Sequence, residues 1–188
     1  RDLTGAGMME CKKALVETDG DMDAAVDVLR KQGLAAVSKK AGRDTNEGRV
    51  VAKVCDKGGC GTIVEVNCET DFVAINEKFQ AYCDRFAKAA LESKATDEQA
   101  LKSASDGGET VEEILTDAIH VLGENTKISY VNFHEADGVV AYIHGNGKIG
   151  VLVDFKLDGV DPTNADFQAC GRDVAMHAAA MNPIATNR

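Results

Sequence analysis

Apolar positions follow helical and strand periods in turn along this chain, and part of that order occurs twice. Met8, Cys11, Ala14 and Leu15 fall at helical spacing until Thr18-Asp19-Gly20 breaks the run. Asp21 or Asp23 is placed to cap a second helix, whose stripe is Met22, Ala25, Val26 and Leu29 and which Gly33 is expected to end. A third helix over 34–40, or a preceding one truncated here, completes an expected three-helix module at 1–41. Polar residues 42–48 read as a linker. The β-branched runs 50–54 and 62–66 flank a glycine-rich turn, which predicts a hairpin. Phe79, Tyr82, Cys83, Phe86, Ala87 and Ala90 then mark an amphipathic helix starting near Asn76. Residues 92–109 are polar and are expected to be mostly loop. Thr110-x-x-Glu113 matches a capping box, opening a helix with Val111, Ile114, Leu115, Ala118, Ile119 and Leu122 that Gly123 stops. An alternating third strand at 127–134, a hairpin at 139–145 and 149–157, and a helix at 164–181 follow.

The repetition is visible residue by residue. Segments 50–88 and 139–176 align with a one-residue gap. Val50-Val51-Ala52 matches Val139-Val140-Ala141, Gly61 matches Gly150, and Ile63-Val64-Glu65-Val66 matches Leu152-Val153-Asp154-Phe155. Phe79-Gln80-Ala81 matches Phe167-Gln168-Ala169. The copies differ at the junction of hairpin and helix. The first has Glu69-Thr70-Asp71-Phe72-Val73 there, and the second has Gly159-Val160-Asp161-Pro162. The fold class is therefore α+β, with the N-terminal helical module followed by two related subdomains built on antiparallel sheets, at 49–134 and 135–188. The second lacks a counterpart of the third strand and is expected to be truncated.

Composition narrows the partners. With no Trp and only 5% aromatic residues, the cores are aliphatic. A net charge of −10 argues against direct nucleic-acid binding and against an anionic membrane surface. No apolar run approaches the roughly 20 residues of a membrane span, and no signal-peptide pattern is readable. A cytoplasmic location is expected, with an organellar stroma or matrix also compatible. Arg1 and Arg188 at the ends are compatible with trimming on either side.

The six cysteines, at 11, 55, 60, 68, 83 and 170, contain no C-x-x-C pair. Cys55, Cys60 and Cys68 suggest zinc only weakly, because ligand pairs and a nearby His are missing. Cys55 and Cys60 are placed to pair across the hairpin, while reduced, core-filling thiols are the expected state. No metal or cofactor is expected. His120, His134, His144 and His177 form no readable catalytic spacing, and His144-Gly145-Asn146-Gly147-Lys148 is not a phosphate loop, because Tyr142 stands where the first glycine belongs. A histidine on a hairpin, such as His144, is expected at the surface, and His177 is expected to pack in the core.

Thr70-Asp71-Phe72-Val73 sits on a strand-to-helix corner and admits two readings. Thr70 or Asp71 caps a turn and Phe72 staples into the core. Alternatively, an exposed aromatic beside a carboxylate anchors a protein partner. The absence of the tetrapeptide from the second copy favours the anchor, since a shared core would need it in both.

Several stretches together resemble the translation elongation factor Ts family. They are Thr4-Gly5-Ala6-Gly7-Met8-Met9-Glu10-Cys11-Lys12-Lys13-Ala14-Leu15, Asn67-Cys68-Glu69-Thr70-Asp71-Phe72-Val73 with Phe79-Gln80-Ala81, Gly123-Glu124-Asn125, and His144-Gly145 with Ile149-Gly150-Val151-Leu152-Val153. The resemblance implies a ubiquitin-associated-like (UBA-like) module at the N-terminus, a two-subdomain core and a non-enzymatic role as nucleotide-exchange factor for elongation factor Tu. It implies that Asp71 and Phe72, within Thr70–Val73, enter the partner's G domain, disturb its magnesium site and release GDP. It also implies partner contacts at Lys12, at Leu122 and Gly123, where the family more often has isoleucine before the glycine, and at His144, facing another domain of the partner. Relatives continue beyond the 178–183 region, often with a coiled-coil insertion. The alternatives are a UBA-like binding module without exchange activity, and a thiol or metal enzyme built on Cys55, Cys60 and Cys68.

Overall fold

The structure, a computed structural model, describes Thr4 and residues 6–183, apart from the side chain of Ala36. Residues 1–3, Gly5 and 184–188, at the margins of the expected N-terminal module and second subdomain, lie outside the described residues. The elements run α1 (Met8–Glu17), α2 (Met22–Lys40), β1 (Glu47–Val54), β2 (Cys60–Cys68), α3 (Asp71–Ala74), α4 (Glu77–Ser93), α5 (Glu98–Ser103), β3 (Ser105–Asp106), β4 (Glu109–Thr110), α6 (Val111–Leu122), β5 (Thr126–Glu135), β6 (Gly138–His144), β7 (Ile149–Phe155) and α7 (Ala165–Met181). The fold is α+β with small antiparallel sheets.

Two helices, not three, occupy the described part of the N-terminal module. Asp21 caps α2 by accepting the Ala24 N–H at 3.0 Å. Gly33 does not end that helix, which continues to Lys40 and absorbs the expected third helix. A glycine inside a helix costs only about 1 kcal/mol, and this one faces α6: a Cβ at Gly33 would meet Thr116 Cγ2 at 3.5 Å. The glycine therefore sits inside the helix, at a distance where a Cβ would make an ordinary contact with α6, and does not act as a stop. Ala6, Ala14, Ala25 and Leu29 make a small core of their own. Lys40 Nζ donates to the Ile119 carbonyl at 2.9 Å, and His120 Nε2 lies 3.2 Å from Glu10 Oε2, so both helices are tied to α6.

The main core lies between the β1-β2-β5 sheet and helices α4 and α6. Thr62, Val64, Val66 and Cys68 alternate inward along β2, and the last three share one core with Phe79, Cys83, Phe86, Ala87 and Ala90 of α4. Phe79 and Phe86 are fully buried, and each contributes about 1.5–3 kcal/mol of transfer free energy. The third strand does not alternate cleanly. The register slips between Glu65 and Val66, which pair with Tyr130 and Ile128, so Ser129 is the extra residue of a bulge. Thr126 and Ile128 point inward before it and Val131 after it. The capping box at Thr110 and Glu113 forms as read, with Thr110 N–H donating to Glu113 Oε2 at 3.0 Å and Glu113 N–H donating to Thr110 Oγ1 at 3.3 Å. The expected loop at 92–109 is largely ordered. It contains α5, capped by Asp97, which accepts the Ala100 N–H at 2.8 Å, and the β3–β4 pair.

The two copies adopt the same local structure. Ala52 pairs with Ile63 in the first hairpin, and the matched residues Ala141 and Leu152 pair in the second. Asn76 caps α4 and Asn164 caps α7, each accepting the N–H two residues on at 2.9 Å. The hairpins press together at their matched glycines. A Cβ on Gly61 would meet Val139 Cγ1 at 2.9 Å and Leu152 Cδ1 at 3.4 Å; one on Gly150 would meet Val50 Cγ1 at 2.4 Å and Ile63 Cδ1 at 2.8 Å. Val50 corresponds to Val139 and Ile63 to Leu152, so the packing is reciprocal, as in a two-fold contact. One expectation fails here. His177 is exposed, because α7 turns Gly171 and Ala175 inward and the residue two positions on faces solvent.

Candidate functional site

The corner after β2 is built from the clamp outward. Gly123 ends α6 in the left-handed conformation, with φ of 77°, and turns the chain so that Glu124 and Asn125 reach back to the end of β2. Glu124 Oε2 accepts the N–H groups of Glu69 and Thr70 at 3.1 and 3.0 Å, and its Oε1 accepts the Thr70 hydroxyl at 2.6 Å. Glu69 Oε1 accepts the Asn125 N–H at 2.6 Å and lies 3.4 Å from Arg43 Nη1. The Asn125 side-chain amide donates to the Arg43 carbonyl at 2.8 Å. The Cys68 thiol donates to the Thr70 carbonyl at 3.2 Å. Burial, with the Glu124 charge beside it, pushes that thiol up to about 11, so it stays a protonated donor. Lys40 stands at the same end of α6, and burial lowers its pKa, with Arg43 adding to the effect.

On this base the tetrapeptide divides its labour. Thr70 caps α3, its hydroxyl oxygen accepting the Val73 N–H at 3.4 Å. Val73 is half-buried against the main core, and the next residue, Ala74, is buried. Asp71 and Phe72 project outward. Phe72 is 78% exposed, and its N–H donates to Asp71 Oδ1 at 3.0 Å. Ile75, one helical turn beyond, is also exposed. The cap half of the first sequence reading is therefore correct for Thr70, but Phe72 is not a core staple.

The other expected contact residues are spread more widely. Leu122 is half-buried against the main core, and Gly123 is exposed beside the clamp. Lys12 is exposed on α1, whose Glu10 contacts His120 on α6. His144 is exposed at the end of β6, with its Nδ1 2.8 Å from the Tyr142 hydroxyl. Among the described residues it makes no hydrogen bond or ion pair to the corner. Residue types alone did not single out Glu124, Asn125, Glu69 and Arg43. The available signal was Gly123-Glu124-Asn125, a left-handed stop followed by two polar side chains.

Among the described residues no three His, Cys, Asp or Glu side chains are grouped to hold a metal. No described helix is long and apolar enough to cross a membrane.

The model of one family, Elongation factor TS, matches residues 69–188, a stretch that starts at the clamp residue Glu69. The chain belongs to the elongation factor Ts family. Among its similar relatives is elongation factor Ts of Trichlorobacter lovleyi, 49% identical over 189 residues that cover 97% of this chain and 61% of the relative. The Dinoroseobacter shibae factor is 52% identical over 188 residues, covering 97% of this chain and 60% of the relative. That of Clostridium perfringens is 46% identical over 187 residues, covering 98% and 61%. The chain thus spans about three-fifths of the length of the elongation factor Ts relatives it matches.

Proposed function

We propose that the chain binds elongation factor Tu and promotes release of its GDP, with Asp71 and Phe72 as the group that enters the nucleotide-binding domain. The observation that carries this reading is Phe72: a large aromatic, 78% exposed, on a corner that Glu124 holds by two hydrogen bonds to the backbone and one to the Thr70 hydroxyl. A solvent-facing phenylalanine on a fixed platform loses little conformational freedom on docking, which favours an anchor. Burying it in a partner contributes about 1.5–3 kcal/mol, or roughly a ten- to hundredfold shift in affinity. If that burial is available only in the nucleotide-free state, GDP and this chain weaken each other by the same factor. Asp71 brings a carboxylate to a site where the partner holds a magnesium ion and phosphates, and like charge opposes the phosphates there.

Thr70 and Val73 hold the corner in place. Residues 1–41 act as a contact module through Lys12. Leu122 and Gly123 border the corner, and His144 meets a second domain of the partner. The chain contributes binding energy and no covalent step, and it acts where elongation factor Tu acts, in a cytoplasm or an organellar matrix or stroma. Release of a fluorescent GDP analogue from purified elongation factor Tu, with and without this chain, tests the proposal. Faster release that saturates with chain concentration is expected. An unchanged rate in the presence of a stable complex would favour a binding module without exchange activity.

A further inference from the structure

The turn between β1 and β2 carries a pair of cysteines that the exchange reading leaves unused. The antiparallel register runs Lys53 to Thr62 and Val54 to Gly61. It continues with Cys55 opposite Cys60, whose carbonyl accepts the Cys55 N–H at 2.9 Å. Directly opposed residues in such a pair have Cα atoms about 4.5–5.5 Å apart, inside the roughly 4.4–6.8 Å that a disulfide accepts. Both side chains are half-buried free thiols, accessible to a small solute, whereas Cys68 and Cys83 are fully enclosed.

The two sulfurs are chemically unequal. Cys55 Sγ accepts the Cys60 N–H at 3.1 Å, and the turn amides of Gly59 and Lys57 favour negative charge on the same sulfur. Burial works against a thiolate at Cys55, but the Cys60 thiol and these amides outweigh it and hold Cys55 below the ordinary thiol range. Burial, together with the thiol and charge of Cys55, pushes Cys60 up to about 11. Of the two thiols, Cys55 therefore gives up its proton more readily than Cys60.

We propose that Cys55 and Cys60 form a peroxide-reactive dithiol, with Cys55 the sulfur oxidised first and Cys60 the thiol that resolves it. The Cys55 thiolate attacks one oxygen of hydrogen peroxide, the O–O bond breaks, and hydroxide leaves and takes a proton to become water. Cys55 is then a sulfenic acid. Cys60 gives up its proton, its sulfur attacks Cys55 sulfur, the S–O bond breaks, and the departing hydroxide becomes a second water. Two electrons pass from the sulfurs to peroxide, and a dithiol reductant reverses the change. The turn is also a joint between the copies: the Gly58 and Gly59 carbonyls accept the Val139 and Ala136 N–H groups at 2.7 and 3.0 Å. A disulfide at its base fixes the loop on which β6 is seated.

The test treats the full chain with a few equivalents of hydrogen peroxide, counts thiols after unfolding, and maps the peptides without reduction. Free thiols are expected to fall from six to four, with residues 55 and 60 linked. In Cys60→Ser, dimedone is expected to label position 55; in Cys55→Ser, position 60 stays unlabelled under the same treatment. A count that stays at six overturns the proposal. So does oxidation of exposed Cys170 while the 55–60 peptide remains reduced, or labelling at 60 in Cys55→Ser with none at 55 in Cys60→Ser.

Discussion

Glu124 grips Thr70 at two points, accepting its hydroxyl at 2.6 Å on one carboxylate oxygen and its N–H at 3.0 Å on the other. The second oxygen also accepts the Glu69 N–H at 3.1 Å. Hydrogen bonds to a charged group contribute about 1.5–3 kcal/mol each, so this carboxylate fixes the backbone from which Phe72 projects. Glu124→Gln keeps the shape but presents an N–H₂ group to at least one donor. It is expected to loosen the corner by about 1–3 kcal/mol, seen as faster amide hydrogen exchange at Glu69 and Thr70. GDP release promoted by the variant should fall although Asp71 and Phe72 are untouched. Unchanged release would mean that the wedge works without its clamp.

The reciprocal glycine contact makes a second expectation. Gly61 receives Val139 and Leu152, and Gly150 receives Val50 and Ile63. A methyl group at either position overpacks the interface between the hairpins, at a cost of typically 1–3 kcal/mol. Gly61→Ala and Gly150→Ala should each lower the denaturation midpoint. The double variant should cost less than the sum, because the first substitution already separates the shared surface. Strict additivity in a double-mutant cycle would show that the two contacts are independent.

Asp106 gives the fold an acid limit. It is 8% exposed, and its carboxylate accepts Lys88 Nζ and Arg85 Nε at 2.8 Å each. Those two cations, Lys88 first, hold its pKa below the ordinary carboxylate value. A carboxylate with a depressed folded-state pKa contributes stability above its unfolded value of about 3.9, and loses that contribution as pH falls through the folded value. Asp106→Asn should cost about 1 kcal/mol at neutral pH, at the low end for such bonds because both cations stay solvent-accessible. It should also flatten the fall in stability below about pH 4. Urea midpoints measured across that range check both.

Much of this was legible in the residues, and the misses share a cause. Hairpins, α4, α6 and α7 follow from β-branched runs, apolar stripes and caps that are local in sequence, and local chemistry decides them. Gly33 misled because a helix tolerates a single glycine in its interior, and packing of α2 along α6, far along the chain, carries the helix past it. α5 was missed because six residues with a single buried Leu101 carry no periodic signal. The Thr70–Glu124 bond joins residues 54 positions apart, which no window of sequence contains. The copies share a cap and a register, yet Phe79 is fully buried while its counterpart Phe167 is half-buried against Phe155. The missing third strand accounts for that difference, since β5 and α6 close the first core and nothing equivalent among the described residues closes the second. At the corner, comparison of the copies pointed outward correctly for Asp71 and Phe72, whereas Thr70 and Val73 of the same stretch cap α3 and pack against the core.

Phe72 decides between a structural and a functional corner. A buried phenylalanine replaced by alanine costs about 3–5 kcal/mol. Phe72 is 78% exposed, and substitutions at such surface positions usually change stability by less than about 0.5 kcal/mol. Phe72→Ala is therefore expected to leave the denaturation midpoint where it was. If the phenyl ring is buried only in the nucleotide-free complex, removing it forfeits about 1.5–3 kcal/mol there, and promoted GDP release should slow roughly ten- to hundredfold. Asp71→Asn supplies the control for charge: it keeps an oxygen able to accept the Phe72 N–H and removes only the carboxylate charge. A loss in Phe72→Ala with little change in Asp71→Asn assigns the effect to the apolar wedge; a loss in both assigns it to wedge and charge together. Unfolding and release are to be measured on the same preparations. A large drop in midpoint, with release per folded molecule intact, would make Phe72 a structural residue and remove the basis of the exchange mechanism.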